Sequence, residues 1–214
     1  MQGTFTMDKP ADTTYPIEPL LERRWSPRAF ADRPVESEKL LSLLEAARWS
    51  ASCANQQPWY FIVATKEDTA EHARLLSCLR ENNQQWASHA PVLMVSVAKL
   101  SFDMNGQPNR YAFHDVGLAV ANLIVQATAL GLFVHQMAGF YPDKVRELYG
   151  VPEDFEPVAG IVLGYPGDPA TLPEDLRQRE VAQRVRKPLE TFVFQGAWGE
   201  IGRASCRERV WIPV

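Results

Sequence analysis

The sequence places two arginines around a hydroxyl in a segment that a proline keeps out of a helix. Arg24, Ser26 and Arg28 alternate in the stretch RWSPR, and Arg23 precedes them. Because a guanidinium can bind an oxyanion through two parallel N–H donors, these arginines can converge on one phosphate or on an electron-rich ring edge. A solvated basic turn, with Ser26 capping the next element, explains the same residues. This segment alone leaves both interpretations open.

Three further segments offer polar contacts or a close approach to the backbone: a loop of short side chains, a turn that ends a predicted strand, and a basic run near the C-terminus. Loops at strand ends are frequent ligand sites, and amide side chains both donate and accept hydrogen bonds. The residues are Ser52, Asn55 and Gln57 in the loop, Met137, Ala138 and Gly139 in the turn, and Arg184 and Arg186, followed by Lys187, in the basic run. The alternatives are an ordinary polar connection, a tight turn that needs glycine, and a solvated surface.

The histidines and cysteines predict neither a metal site nor a protein nucleophile. His72, His89, His114 and His135 show no ligand spacing with one another or with the three cysteines. The sequence contains no nucleophile elbow and no P-loop, and no G-x-G-x-x-G follows a strand, which counts against a Rossmann fold. Any demanding chemistry would therefore come from a cofactor, with no catalytic side chain.

Composition indicates a folded protein with an ordinary charge balance. Of the 214 residues, 46% are hydrophobic and 22% are charged, and 22 Lys and Arg stand against 26 Asp and Glu. This balance excludes wholesale disorder and argues against nucleic acid as a partner. Three cysteines without a C-x-x-C pair do not form a secreted disulfide framework, and the chain does not open with a signal-peptide pattern. We therefore expect a cytoplasmic protein.

Hydrophobic periodicity predicts an irregular alternation of helices and strands. Leu40, Leu43, Leu44 and Ala47 define one face of an amphipathic helix, for which Ser37 is the expected N-cap. The other predicted helices cover residues 17–23, 67–79, 110–130 and 142–149, and the predicted strands cover 59–65, 92–98, 132–137 and 158–165. The strand at 92–98 is almost wholly apolar, which indicates that both faces of its sheet are covered.

The predicted helix over residues 110–130 is apolar nearly all round. The uncharged run 116–142 starts within this helix, and the length of the run raises the question of a membrane span. A lipid-spanning helix would carry fewer polar groups than this run, which includes Asn122 and Gln126. We interpret it as a buried helix that runs into a strand and lies at the centre of the fold or at a subunit interface, with no membrane segment. Gly131 stands where a helix commonly ends.

Taken in order, these segments resemble the FMN-dependent nitroreductase family. RWSPR resembles the family's R-x-S-x-[RK] opening, and SASCANQQPWYFIV resembles its S-x-x-N-x-Q-P-W loop and strand. LGLFVHQMAGF resembles the strand and turn beside the flavin, RKPLETFVF the closing segment, and DVGLAVANLIVQATALGL the long central helix. The resemblance implies an α+β fold, a three-layer α/β/α sandwich around a central, mostly antiparallel sheet, in an intertwined homodimer. It also implies a ping-pong reaction in which NAD(P)H reduces FMN, which then reduces nitroaromatics, quinones or related small-molecule acceptors.

The resemblance also implies a set of FMN-binding residues. It places Arg24, Ser26 and Arg28 at the phosphate and the pyrimidine edge, and Ser52, Asn55 and Gln57 at the ring, with Asn55 from the partner subunit. Met137, Ala138 and Gly139 would lie along the isoalloxazine, with a backbone N–H facing the hydride-accepting nitrogen. Arg184 and Arg186 would bind the phosphate. The sequence departs from the family in two places. Ala138 stands where some members have an acidic residue, and Trp25 replaces the common Arg or His.

We expect three regions along the chain. Residues 1–16 are polar and proline-punctuated and predict a flexible arm, and 17–199 predict the flavin-binding domain. Residues 200–214 lack periodicity and, read back into codons, match a common sequencing-library adapter, so we interpret them as a non-native tail. A specialised member of the family, dehalogenase-like or flavin-consuming, and a non-catalytic flavin-binding protein remain alternatives because their FMN contacts would be the same.

Overall fold

A four-stranded antiparallel sheet forms the centre of the protein, as expected. The structure is a computed structural model that describes residues 7–200; the start of the predicted arm, and the predicted tail from 201 onward, lie outside the described residues. The strands are β1 (Trp59–Thr65), β2 (Val92–Lys99), β3 (Phe133–Met137) and β4 (Phe155–Gly164). Their order across the sheet is β1-β2-β4-β3, so β1 and β3 are the two edges.

Seven α-helices are formed by the described residues. They are α1 (Pro19–Arg23), α2 (Ser37–Arg48), α3 (Thr69–Leu76), α4 (Glu81–Ala87), α5 (Ala112–Ala129), α6 (Pro142–Tyr149) and α7 (Glu174–Val181). The expected N-cap of α2 is wrong by one residue, because Glu36 occupies that position and Ser37 is already helical. The sequence pattern also missed α4 and α7, whose compositions are largely polar. The two helices are nevertheless anchored, α4 by the buried Trp86 and α7 by the buried Leu176.

Helices cover both faces of the sheet, which confirms the three-layer sandwich. On β2, Leu93 and Val95 belong to one core cluster, and Val92 and Met94 belong to the other. Alternate residues of a strand point to opposite faces, so an unbroken apolar strand is what a doubly covered sheet requires. The first cluster includes residues of α3, α4, α6 and α7, and the second includes residues of α2 and α5.

Helix α5 is the long core helix that the sequence predicts. Among the described residues it alone has the length and apolarity of a membrane-crossing helix, but half of it is buried inside the protein. Gly131 follows it with a φ of 73°, the left-handed geometry that a helix-terminating glycine supplies. The outer side of α5 is partly apolar as well, since Phe113 is 51% exposed and Leu118 is 38% exposed. The helix therefore serves the core on one side and presents an apolar stripe on the other.

The chain divides into two compact units, Met1–Ala182 and Gln183–Val214. The first contains the sheet and all seven helices. It also includes the described part of the predicted arm, where the amine of Lys9 donates a 2.5 Å hydrogen bond to the backbone carbonyl of Glu180. The second, described as far as Glu200, contains a short 3₁₀ turn at Leu189–Thr191 and a contact between the rings of Phe194 and Trp198. The flavin-binding domain at 17–199 stays a prediction.

Candidate functional site

The RWSPR segment follows α1 without forming a helix or strand, and burial alternates along it. Trp25 and Pro27 are buried, whereas Arg24, Ser26 and Arg28 are half-buried. The two arginines and the hydroxyl are therefore the more exposed side chains of the segment. A guanidinium N–H of Arg24 donates to the Ser26 hydroxyl at 3.1 Å. These side chains are donors suited to an anion.

His135 on β3 ties this segment to the edge of the sheet. Its ring Nδ1 lies 2.8 Å from the carbonyl oxygen of Pro27, and its ring lies 4.7 Å from the ring of Trp86. Burial, together with the charges of Arg28 and Arg24, lowers the pKa of His135 to about 4. The imidazole is therefore neutral at physiological pH, and Nδ1–H is the donor to Pro27. No metal or catalytic role was expected for His135, and in the structure its ring holds the segment through the Pro27 carbonyl.

Glu180 on α7 holds the same segment from the other direction. Its carboxylate is 1% exposed and accepts hydrogen bonds from the backbone N–H of Arg28 at 2.8 Å and of Ala29 at 3.0 Å. Burial raises the pKa of Glu180, while those two N–H donors act in the opposite direction. The sequence analysis missed this residue. Because α7 has no strong hydrophobic periodicity, the sequence does not predict this helix, and a buried acid within it could not be recognised.

The loop before β1 has an unusual backbone. Ala54, Asn55 and Gln57 have φ values of 50°, 53° and 49°, in the left-handed region that non-glycine residues rarely occupy. Each such residue costs of order 1–2 kcal/mol, so the surrounding contacts must hold the loop in place. Backbone strain of this kind clusters at ligand sites, which agrees with the prediction that Asn55 and Gln57 bind a ligand.

Hydrogen bonds to side chains help to hold this loop. The backbone N–H of Cys53 donates to the carboxylate of Asp115 at 2.9 Å, and the backbone N–H of Gln57 donates to the Ser52 hydroxyl at 3.0 Å. The side-chain amide of Gln57 donates to the Asn55 side-chain oxygen at 3.3 Å. Ser52 and Gln57 therefore shape the loop around Asn55. Asp115, 2% exposed at the start of α5, is a second anchor that the sequence analysis missed.

The turn after β3 presents backbone more than side chains. Met137 is 7% exposed and packs in the core, so its thioether points away from any ligand, while Ala138 is exposed. The carbonyl of Gly139 accepts from the backbone N–H of Arg80 and from the amide of Asn83, both at 2.9 Å. Within residues 7–200, the N–H of Gly139 has no hydrogen-bond acceptor. This N–H is therefore available as a hydrogen-bond donor, and it lies just after β3, the edge strand that the RWSPR segment also adjoins.

Gly139 makes room for a neighbouring side chain. Its φ is not positive, so the alternative interpretation, a tight turn that needs glycine, does not explain this residue. A Cβ at this position would lie 2.3 Å from the amide nitrogen of Asn83, closer than real contacts allow. Glycine lets α4 approach the end of β3 closely enough for Asn83 to bond its carbonyl.

Within one chain, the RWSPR segment and the 137–139 turn lie near the same strand, and the loop at 50–58 lies apart from them. The RWSPR segment and the 137–139 turn both adjoin β3, whereas the loop at 50–58 precedes β1 on the opposite edge. Through the register of the antiparallel pairs, Met137 at the end of β3 is level with Ile62 in the middle of β1. Three inter-strand spacings of about 4.8 Å separate those edges by about 14 Å.

Arg184 and Arg186 lie in the second compact unit, and their predicted contact with a phosphate stays a prediction. Burial lowers the pKa of Arg184, and the neighbouring charge of Arg186 lowers it too. A guanidinium N–H of Arg186 donates to the carbonyl of Val185 at 2.8 Å. Two like charges held this close in sequence favour an anionic partner.

The fold is an α/β/α sandwich that carries, at one edge of its sheet, a segment with two arginines and a backbone N–H without an acceptor among the described residues. The model of the Nitroreductase family matches residues 21–81 and 68–165, and the chain belongs to this family. The resemblance inferred from the motifs is thereby confirmed.

Known proteins agree with this assignment. A protein of Stenotrophomonas maltophilia K279a named "Putative NADH dehydrogenase/NAD(P)H nitroreductase" is 30% identical over 175 residues, covering 73% of this chain and 87% of that protein. An uncharacterized 15.4 kDa protein of Mycolicibacterium smegmatis is 41% identical over 90 residues, covering 42% of this chain and 60% of that protein. Among solved structures, an oxidoreductase containing FMN superposes with a TM-score of 0.84 at 36% identity, covering 92% of this chain and all of that one. A nitroreductase family protein of Clostridium difficile 630 gives 0.62 at 27% identity, covering 81% and 94%.

Proposed function

We propose that this protein is an FMN-dependent oxidoreductase that uses NAD(P)H to reduce nitroaromatics, quinones or related small acceptors. The observation that carries the proposal is that Arg24, Ser26 and Arg28 are the more exposed side chains of a segment that a hydrogen bond fixes to β3. Membership of the Nitroreductase family and the superposition on an oxidoreductase containing FMN support it.

The donors at this edge fit FMN chemically. A flavin mononucleotide carries a phosphate and a ring with an electron-rich pyrimidine edge, and two guanidiniums with a hydroxyl match both needs. The ring nitrogen that receives hydride suits a backbone N–H donor, and Gly139 has such a donor without an acceptor in the described part of the chain. The exposed Ala138 leaves room beside that donor.

When bound, FMN would supply the two-electron chemistry between NAD(P)H and the acceptor. The protein's contribution is binding, orientation and electrostatics. Arg24 and Arg28 hold positive charge where negative charge would develop at the pyrimidine edge, which favours hydride acceptance. Hydride transfer needs no general base, so the site requires no catalytic side chain.

We also infer a homodimer in which Asn55 reaches the ring of the other chain's FMN. The 14 Å separation between the two edges, about three strand spacings, keeps a chain's own loop away from its RWSPR segment. The outer stripe of α5 supplies an apolar surface for the partner, with Phe113 and Leu118 exposed and open space above Gly117. Because NAD(P)H is made and used inside cells, the inferred location is the cytoplasm.

An absorbance spectrum of the protein purified without added flavin, followed by one addition of NADPH, tests this function. We expect flavin bands that bleach on reduction and return when a quinone is added. A protein that is colourless and also fails to take up added FMN would contradict the proposal. A protein that binds FMN but oxidises neither NADH nor NADPH would instead be a non-catalytic flavin-binding protein.

A further inference from the structure

We propose that Glu180 is a positioning residue for FMN: its buried carboxylate fixes the backbone at Arg28 and thereby aims the guanidinium at the cofactor. This inference rests on the proposed function, because it assumes that FMN binds at Arg24, Ser26 and Arg28. It adds a residue from α7, an element outside the four motifs, to the machinery that prepares the site.

The carboxylate of Glu180 accepts hydrogen bonds from two backbone N–H groups. One carboxylate oxygen accepts from the N–H of Arg28 at 2.8 Å and of Ala29 at 3.0 Å, and the second oxygen lies 3.0 Å from the N–H of Arg28. The residue is 1% exposed. Burying a carboxylate is costly unless it is fully bonded, and an apolar residue would fill this space at lower cost. A carboxylate at this buried position therefore indicates that its hydrogen bonds to the backbone of Arg28 and Ala29 have a role in holding the segment.

The opposite side of the segment is held equally firmly. The carbonyl of Pro27 accepts from His135, and the carbonyl of Ala29 accepts from the backbone N–H of Gly167 at 2.9 Å. Donors and acceptors of residues 27–29 are thus occupied by groups from α7, β3 and the chain after β4. The backbone around Arg28 has little freedom, so its side chain leaves the segment in a fixed direction.

The carboxylate bonds the backbone of Arg28 and leaves the guanidinium available. Among residues 7–200, no ion pair or side-chain hydrogen bond uses the Arg28 guanidinium. The charge of Glu180 still attracts it, because Arg28 and Lys9 are the two cations whose charges act on this carboxylate. Lys9 also lies 4.7 Å from the ring of Trp25. Preorganisation of this kind strengthens binding by removing ordering costs.

Protonation of Glu180 would weaken this arrangement. Burial raises the pKa of the carboxyl. A proton on Oε2 removes the negative charge that strengthens both bonds to Oε1, and it places an O–H donor opposite the N–H of Arg28. The charges that act most strongly on this carboxyl are those of Arg28 and Lys9. Glutamine mimics the protonated state at every pH.

The test is the dissociation constant of FMN, measured by quenching of flavin fluorescence with the full chain. We expect Glu180→Gln to weaken FMN binding about tenfold at pH 7.5, while Glu174→Gln, an exposed change on the same helix, has no effect. As the pH is lowered from 7.5, the wild type should lose affinity more steeply than Glu180→Gln, because only the wild type has a carboxylate at this position to protonate. The titration of the FMN phosphate is common to both proteins and cancels in the difference.

A double-mutant cycle separates positioning from general support of the fold. In an Arg28→Ala background, Glu180→Gln should cause less than a twofold further loss, because the guanidinium that it aims is gone. An undiminished tenfold loss in that background would overturn the positioning role, as would equal affinities and equal pH profiles for wild type and Glu180→Gln. If Glu180→Gln is recovered unfolded, Glu180→Asp decides by the same criteria. Absence of FMN binding by the wild type would instead overturn the proposed function.

Discussion

The carboxylate of Asp115 and the backbone N–H of Cys53 are joined by a 2.9 Å hydrogen bond that ties the loop before β1 to the start of α5. The other oxygen of Asp115 lies 3.0 Å from Nδ1 of His114, so both sides of the buried carboxylate have partners. The loop's left-handed residues follow directly after Cys53. A core helix therefore holds in place the strained backbone that presents Asn55.

Replacing Asp115 by Asn should destabilise this loop. The amide has one acceptor oxygen and one NH₂ group, so it cannot accept from both Cys53 and His114. We expect a loss of about 1–3 kcal/mol in the free energy of unfolding, measured by urea denaturation, together with weaker FMN binding. Asp143→Asn, on the exposed side of α6, is the control. Equal stabilities for the two variants would show that the Asp115 bonds contribute little.

Replacing Arg24 by Ala should release FMN while the protein stays folded. Arg24 is half-buried and contributes charge to the predicted FMN-binding side of the segment, rather than to the core. We expect gel filtration to separate FMN from the variant and to leave its elution volume unchanged. Arg177→Ala, which removes an exposed arginine paired with Glu174, should retain its flavin. Unchanged flavin content in Arg24→Ala would contradict its assignment.

Replacing Gly139 by Ala should cost about one hydrogen bond. The added Cβ would meet the amide of Asn83 at 2.3 Å and displace it from the Gly139 carbonyl. We expect a loss of about 1 kcal/mol in the free energy of unfolding. In an Asn83→Ala background the same change should cost less, because the obstructing amide is absent. Equal costs in both backgrounds would exclude Asn83 as the reason for glycine at this position. Valine in place of Gly139 should be worse than alanine and should also reduce FMN binding.

The depressed pKa of His135 predicts a loss of stability in acid. Below about pH 6.5 the unfolded chain protonates this histidine, whereas the folded protein keeps it neutral down to about pH 4. Protons then favour the unfolded state, so the free energy of unfolding falls as the pH falls, by up to ~3 kcal/mol over this range. His135→Gln should show a smaller slope in urea denaturations between pH 7 and pH 4. The slope does not vanish, because burial lowers the pKa of His72 as well.

The exposed His89 is the control for this pH dependence. His89→Gln should retain the wild-type slope, since that ring lies in solvent. An identical slope in His135→Gln would show that His135 does not stay neutral in the folded protein.

Introducing a charge on the outer stripe of α5 should separate the inferred dimer. Leu118 is 38% exposed and adjoins the open space above Gly117. We expect Leu118→Glu to shift the mass measured by light scattering from that of two chains to that of one, 24.1 kDa. Met104→Glu changes a more exposed apolar residue outside α5 and should leave the dimer intact. A wild type that is monomeric at all concentrations would rule out a site shared between chains.

Features that depend on neighbouring residues could be predicted from the sequence. Arg24, Ser26 and Arg28 lie in a segment that Pro27 keeps out of a helix, and the extent of α5 follows from its apolar pattern and from Gly131. The apolar run of β2 indicated a sheet covered on both faces, and the structure has core clusters on both. Each of these signals lies within a few residues along the chain, the distance over which periodicity and capping act.

The tertiary structure alone decided which groups hold the site. Glu180 bonds a backbone 152 residues away, and Asp115 bonds one 62 residues away. Gly139 is a glycine because α4, a helix without a strong pattern, packs against its position. The placement of β1 and β3 on opposite edges separates the loop at Asn55 from Arg24. Such pairings depend on how distant elements pack, and the physical reason that local sequence misses them is that a buried polar group acquires its partner only when the core closes around it.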